Sequence, residues 1–168
     1  MAKSRKKSAV AKYGKFVLIF ISIVVVAMAF LPAVKYTDGD TTFTGWEVAF
    51  GKTITSLTIA GKTYGTFIKF SIWAVLAIFI SLAGSVVFGL LFKNRQIAGL
   101  LVFICFAGAA VLFFLMPQLT YQEVDVQFVD PVVNTLSELN YGLGIGAILG
   151  GAFSCVGAVA SLGYAMMK

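Results

Sequence analysis

Residues 70–116 read FSIWAVLAIFISLAGSVVFGLLFKNRQIAGLLVFICFAGAAVLFFLM. Two uncharged runs, 70–92 and 97–116, are separated only by Lys93-Asn94-Arg95-Gln96. A helix rises about 1.5 Å per residue, so about 20 apolar residues cross a hydrocarbon core about 30 Å thick, and each run is long enough to span a bilayer. The turn between them is too short to let its neighbours separate. The stretch therefore predicts an antiparallel pair of membrane helices.

The rest of the chain agrees with that beginning. Of its 168 residues 60% are hydrophobic and 12% charged, with a mean hydropathy of +0.95, far from the roughly 45–50% apolar and 25% charged composition of soluble domains. Two more uncharged runs, 16–34 and 141–167, bring the expected spans to four. The last has length to spare and is expected to tilt or emerge. Ala27-Met28-Ala29 has the small-residue pattern of a signal-peptidase site, but the apolar run continues to Val34, so the first segment is expected to remain as an anchor.

Charge placement sets the expected orientation. Lys3, Arg5, Lys6, Lys7, Lys12 and Lys15 precede the first span, Lys93 and Arg95 lie in the short turn, and Lys168 follows the last span. All 7 acids, Asp38, Asp40, Glu47, Glu123, Asp125, Asp130 and Glu138, fall in the longer connections 35–69 and 117–140. The cytoplasmic bias of Lys and Arg puts both termini and the short turn inside a plasma membrane and the longer connections outside. The basic amino-terminal cluster is read as a topology determinant resting on anionic lipid head groups, not as a nucleic-acid site, because no aromatic platform accompanies it.

The outer connections carry β signals. In TFTGWEVAFGK (42–52) Phe43, Trp46, Val48 and Phe50 suggest a strand with an irregularity at Gly45. TITSLTIAGKTYG (53–65) is a second β-prone run, broken by Gly61 and Gly65. YQEVDVQFVDP (121–131) alternates, with Val124, Val126 and Phe128 on one face, Glu123, Asp125 and Gln127 on the other, and Pro131 ending it. Strands from both connections are expected to pair in one small antiparallel sheet over the helix ends, since a lone hairpin is marginal in water. Phe43, Trp46, Phe50, Val124, Val126 and Phe128 are the candidate sheet and interface residues. Trp46 has a second reading as an interfacial anchor in an aromatic belt with Tyr36, Tyr121 and Tyr141.

In the last span Gly142, Gly146, Gly150, Ser154 and Ala158 recur every fourth residue, a small-residue row that lets another helix of this chain or of a second copy approach closely. Cys105 and Cys155 lie within spans and are expected to be small packing residues. The absence of cysteine from both outer connections fits a bacterial plasma membrane better than a eukaryotic cell surface.

Catalytic signals are missing. There is no histidine, the commonest general base and metal ligand. No ionisable residue lies deep within an expected span, where a proton relay or ion site would need one. Lys69, at the border of the second, is expected to snorkel. GKT occurs at 51–53 and 61–63, but a phosphate loop needs glycine five positions earlier, where Trp46 and Ser56 stand. Glu123 and Asp125 share a strand face without the further oxygens calcium wants or a pocket that would split two carboxyl pKa values. No enzyme activity, cofactor, metal or nucleic-acid partner is expected.

In layout, with four spans, both ends inside, Gly45-Trp46 in a β-bearing first outer connection and a strand in the second, the chain resembles the claudin-like tetraspan class. The resemblance implies a four-helix bundle with one extracellular sheet built from both loops and used for lateral assembly and contacts between molecules. That family's motif continues through glycine-leucine-tryptophan to a disulfide-forming cysteine pair. Here only Gly45-Trp46 corresponds, with no leucine between them and no cysteine pair, so barrier or pore function is not implied. The expected function is protein–protein interaction or assembly through the outer sheet. The alternative is a subunit of a small channel or transporter, with Ser81, Ser85 and Ser154 available to line a path unless they bond back to their own helix.

Overall fold

A computed structural model describes residues 2–59, 62–92, 94–126 and 129–166, with side chains for all of these except 2–12, 59, 62, 63 and 129. Gly61, Lys93, Gln127, Phe128 and Lys168, and the side chains of Lys3, Arg5, Lys6, Lys7 and Lys12, lie outside what is described.

Helix α1 (Ala2–Met28) is followed by strands β1 (Pro32–Tyr36) and β2 (Thr42–Thr44), a short helix α2 (Gly45–Phe50), and strands β3 (Lys52–Ile59) and β4 (Lys62–Ile68). The hairpin helices α3 (Ile72–Leu91) and α4 (Arg95–Phe114) follow. Then come the single turn α5 (Met116–Leu119), strands β5 (Tyr121–Val126), β6 (Val129–Thr135) and β7 (Tyr141–Leu143), and helix α6 (Ile145–Met166).

Among the described residues three helices, α3, α4 and α6, are long and apolar enough to cross a membrane; the apolar part of α1, Tyr13–Met28, is shorter. The expected first span, 16–34, is cut at Met28, because the residue before a proline is driven out of helical geometry and Pro32 opens β1. The expected fourth span also loses its first residues, since Tyr141–Leu143 form β7. Helix α1 packs on α3 and α6, and α4 packs on α3 and α6, so the four long helices close a ring. Asn94 caps α4 by accepting from the Gln96 amide at 3.1 Å, which stops α3 and starts α4 within the short turn.

Small residues set the helix spacing. A Cβ added at Gly150 would lie 2.8 Å from the Phe113 ring of α4, one at Gly151 2.7 Å from Phe114, and one at Gly157 would overlap Phe106. At Gly146 it would meet Leu31 O at 2.7 Å, beyond the end of α1. The partners of this row at Gly146 and Gly150 are therefore within the same chain. Gly146, Gly150, Ser154 and Ala158 are all buried on α6, whereas Gly142 stands in β7 and so drops out of the row. Cys105 packs where α3 presents Gly84, while Cys155 is exposed.

The described strands form two antiparallel sheets in place of the one expected; the four-stranded one mixes the two connections, and the three-stranded one joins the first to Tyr141–Leu143. One has the order β2-β1-β7 and the other β3-β4-β5-β6. The division follows from α2, which interrupts the first connection and sends β1 and β2 to one sheet and β3 and β4 to the other. Pro131 does not end a strand. It lies within β6, where the β5–β6 register shifts between Val124↔Val132 and Val126↔Val129, and a residue without an N–H is tolerated at such an irregularity on an edge strand. Gly65 lies inside β4 because the backbone of Thr55 leaves no room for a Cβ there.

Candidate interaction surface: the aromatic cap and the open sheet

The two sheets differ in how they meet the helices. The three-stranded sheet is tied down: β1 packs on α6 and α2, and Val34 and Phe43 belong to the buried core. The Tyr141 ring lies 5.2 Å from Tyr36 and 5.7 Å from Phe43 between ring centroids. Phe43, a candidate for the sheet or an interface, thus lies in the sheet as part of β2, with its ring in the interior.

The segment 45–50 is a helix, not the strand its alternating apolar residues suggested. Thr44 caps it: its Oγ1 accepts from the Glu47 amide at 3.3 Å and the Glu47 carboxylate accepts from the Thr44 amide at 2.9 Å. The signal was present as Thr-x-x-Glu, the signature of a reciprocal helix start. The same pair of bonds recurs at Thr135 and Glu138. Gly51, with φ +87°, ends the helix in a conformation suited to glycine, and a Cβ there would lie 2.8 Å from Ile68 O.

Helical geometry places Trp46 and Phe50 one turn apart, and their rings stack with centroids 5.5 Å apart and planes at 9°. Phe30 (5.4 Å) and Phe79 of α3 (5.6 Å, edge-on) complete the cluster. The Trp46 amide donates to Ala29 O at 3.3 Å, while its indole N–H is buried without a partner. Trp46 therefore joins the end of α1, α2 and α3, while Phe30 and Phe50 each leave an exposed edge.

Glu47 also pairs with Lys52. Partial burial pushes its carboxyl up, but the Lys52 and Thr44 hydrogen bonds and the Lys52 charge outweigh this and hold it below the usual carboxylate value. Lys69 pairs with Glu123 at 3.0 Å across β4 and β5, where the sequence suggested snorkelling alone.

The four-stranded sheet is the open one; it meets the rest of the chain through α5 against β6 and through Ile68, the last residue of β4, which lies in the buried core. Every described side chain of β3 from Lys52 to Thr58 is exposed. Leu57 is 64% exposed, Val126 50% and Val132 48%, and Ile54, Tyr121 and Val133 are also open. Val124 is half-buried and pairs with Val132. The ladder puts Thr66, Val124 and Val132 on one face and Phe67, Glu123 and Val133 on the other, so apolar groups are presented on both sides. Leu57 and Val132, on outer strands, went unnoticed in the sequence because neither sits in a long alternating run.

Ser154 bonds back to Gly150 O at 2.8 Å, as serines in membrane helices commonly do, whereas the Ser81 and Ser85 hydroxyls are buried without a partner. No group of three or more Cys, Asp or Glu side chains able to hold a metal occurs among the described residues. No protein-family model matches the chain, no curated protein matches it, and no solved structure matches it.

Proposed function

We propose that the chain is a non-enzymatic, claudin-like four-helix membrane protein that assembles with a protein partner or with its own copies through the four-stranded sheet on the outer side of a plasma membrane. The supporting observation is that sheet's lack of cover. Antiparallel sheets in water ordinarily bury one face, and here β3 to β6 expose apolar side chains on both, Leu57, Val126, Val132 and Val133 among them. Apolar surface gathered on one rim marks an interaction site more often than a solvated one. All Arg and most Lys at the opposite ends of the helices, against Lys35, Lys52, Lys62 and Lys69 in the first connection, and acids only in the sheet-bearing connections support the outward orientation. In this reading α1 is the fourth span, its apolar part extended across the headgroup region by Lys15.

Chemical crosslinking in native membranes, followed by native mass spectrometry in mild detergent, tests the assembly. Oligomers or a co-purified partner that disappear in Leu57→Lys or Val132→Lys are expected. A monomer without companions under both conditions contradicts it.

The buried, unpartnered hydroxyls of Ser81 and Ser85 favour a second reading, a subunit of a small channel or transporter. Flux across reconstituted liposomes that is abolished in Ser81→Ala/Ser85→Ala would support it, and no flux for any of several ions and solutes would end it.

A further inference from the structure

We propose that the groove between α1 and α6 at the basic end of the helices is a binding site for one anionic phospholipid, with an acyl chain in the groove and the phosphate between Arg95, Lys15 and the Tyr164 hydroxyl. The groove, of about 460 Å³, is lined by Tyr13, Val17 and Leu18 from α1 and by Ala160, Gly163 and Tyr164 from α6. Its depth comes from glycine. Gly163 has nothing within 4 Å of where a Cβ would be, and Gly14 lets the Tyr164 ring lie against α1, where a Cβ would approach that ring to 2.7 Å.

The lining of the groove is apolar, and a buried hydroxyl and two cations adjoin it in the chain. Tyr164 is 2% exposed, yet its hydroxyl has no hydrogen-bond partner, and a buried donor left without one is costly. Arg95 opens α4 one turn before Gly99, whose Cβ position would meet Ala165 at 2.6 Å and Ser161 O at 2.8 Å, so Arg95 stands beside the last turns of α6. Lys15 follows Gly14 on α1. Among the described residues no Asp or Glu pairs with these cations, and every Asp and Glu of the sequence belongs to the connections 35–69 and 117–140. An apolar slot under unpaired cations and an unpartnered hydroxyl matches an acyl chain joined to a phosphate, and the Lys and Arg bias puts that end in the anionic cytoplasmic leaflet.

The proposal rests on the membrane-spanning reading, which resistance of the full chain to carbonate extraction checks separately. The probes are phosphatidylglycerol and phosphatidylcholine of identical chains, titrated against the detergent-extracted protein in native mass spectrometry. The wild type is expected to retain one phosphatidylglycerol in preference to phosphatidylcholine. Gly163→Leu, which adds a side chain to open space on a helix, should lose the retained lipid while unfolding like the wild type. Arg95→Gln should keep lipid binding but lower the preference by about fivefold, the worth of one cation near an anionic head group. Equal retention of both lipids by the wild type, or undiminished retention by a folded Gly163→Leu, overturns the site. Should Gly163→Leu fail to fold, an unchanged preference in Arg95→Gln overturns it alone.

Discussion

Trp46 lies flat on Phe50, with ring planes 9° apart, because both belong to one turn of a helix that the Thr44–Glu47 pair initiates. Phe30 and Phe79 close on the same indole from α1's end and from α3. The position where the strand-bearing connection meets the helices is therefore an aromatic cluster anchored by one side chain.

Trp46→Ala removes that anchor and should cost at most about 3 kcal/mol, the low end for large-to-small changes of buried aromatics, because Trp46 is only half-buried. Trp46→Phe should cost clearly less, since it keeps a ring in the cluster and removes an indole N–H that has no partner to lose. Denaturant titration of the purified variants in detergent, followed by circular dichroism, gives both values.

The Glu47 carboxyl is held below its ordinary value in the folded chain. A depressed carboxyl contributes stability that is complete above its unfolded pKa and is lost as pH falls through the lower folded value. The wild type should therefore lose more stability than Glu47→Gln as pH is lowered from about 5 through the acid range. Glutamine retains an acceptor at the third helical position but not the attraction to Lys52. Comparing the two proteins cancels the titration of the remaining carboxylates. Parallel pH–stability curves would contradict the assignment.

The α4–α6 seam makes a sharper demand. Gly157→Leu drives a side chain into Phe106 and should destabilise by about 1–3 kcal/mol or more. Gly108→Ala, on α4 with nothing within 4 Å of the new Cβ, should be neutral or stabilising by about 0.5–1 kcal/mol. Thermal unfolding in detergent should order the proteins Gly108→Ala, wild type, Gly157→Leu from most to least stable.

Which parts of the fold could be read from residue types follows from the range of the forces involved. The α3–α4 hairpin was legible because apolar length and a four-residue polar turn are local properties, and the α6 row because its every-fourth-residue spacing matches the helix repeat. The strands β3 and β5 were legible from Thr, Ile and Val patterning, whereas β4 was only the tail of the run 53–65 and continues through Gly65, where a break was expected. Helix α2 was misread, since Phe43, Trp46, Val48 and Phe50 satisfy an alternating and a helical face alike; only the Thr44–Glu47 cap separates the two. The division into two sheets depends on that helix and was lost with it. Phe43 lies in a sheet, one of its two expected places, but its ring is interior because Tyr141 and the core cover it, a long-range contact that no local pattern encodes. The open edge of the candidate surface, Leu57 and Val132, depends in the same way on which strand lies outermost.

The most direct test of the account is the side of the membrane on which the sheet lies. In a background with Cys105 and Cys155 replaced by Ala, single Leu57→Cys, Val133→Cys and Asn94→Cys variants are treated in intact cells with a membrane-impermeant maleimide. The account predicts that Leu57→Cys and Val133→Cys, from the two connections, label without lysis and that Asn94→Cys labels only after it. Labelling of the two sheet positions from opposite sides, or protection of both until lysis, would contradict it.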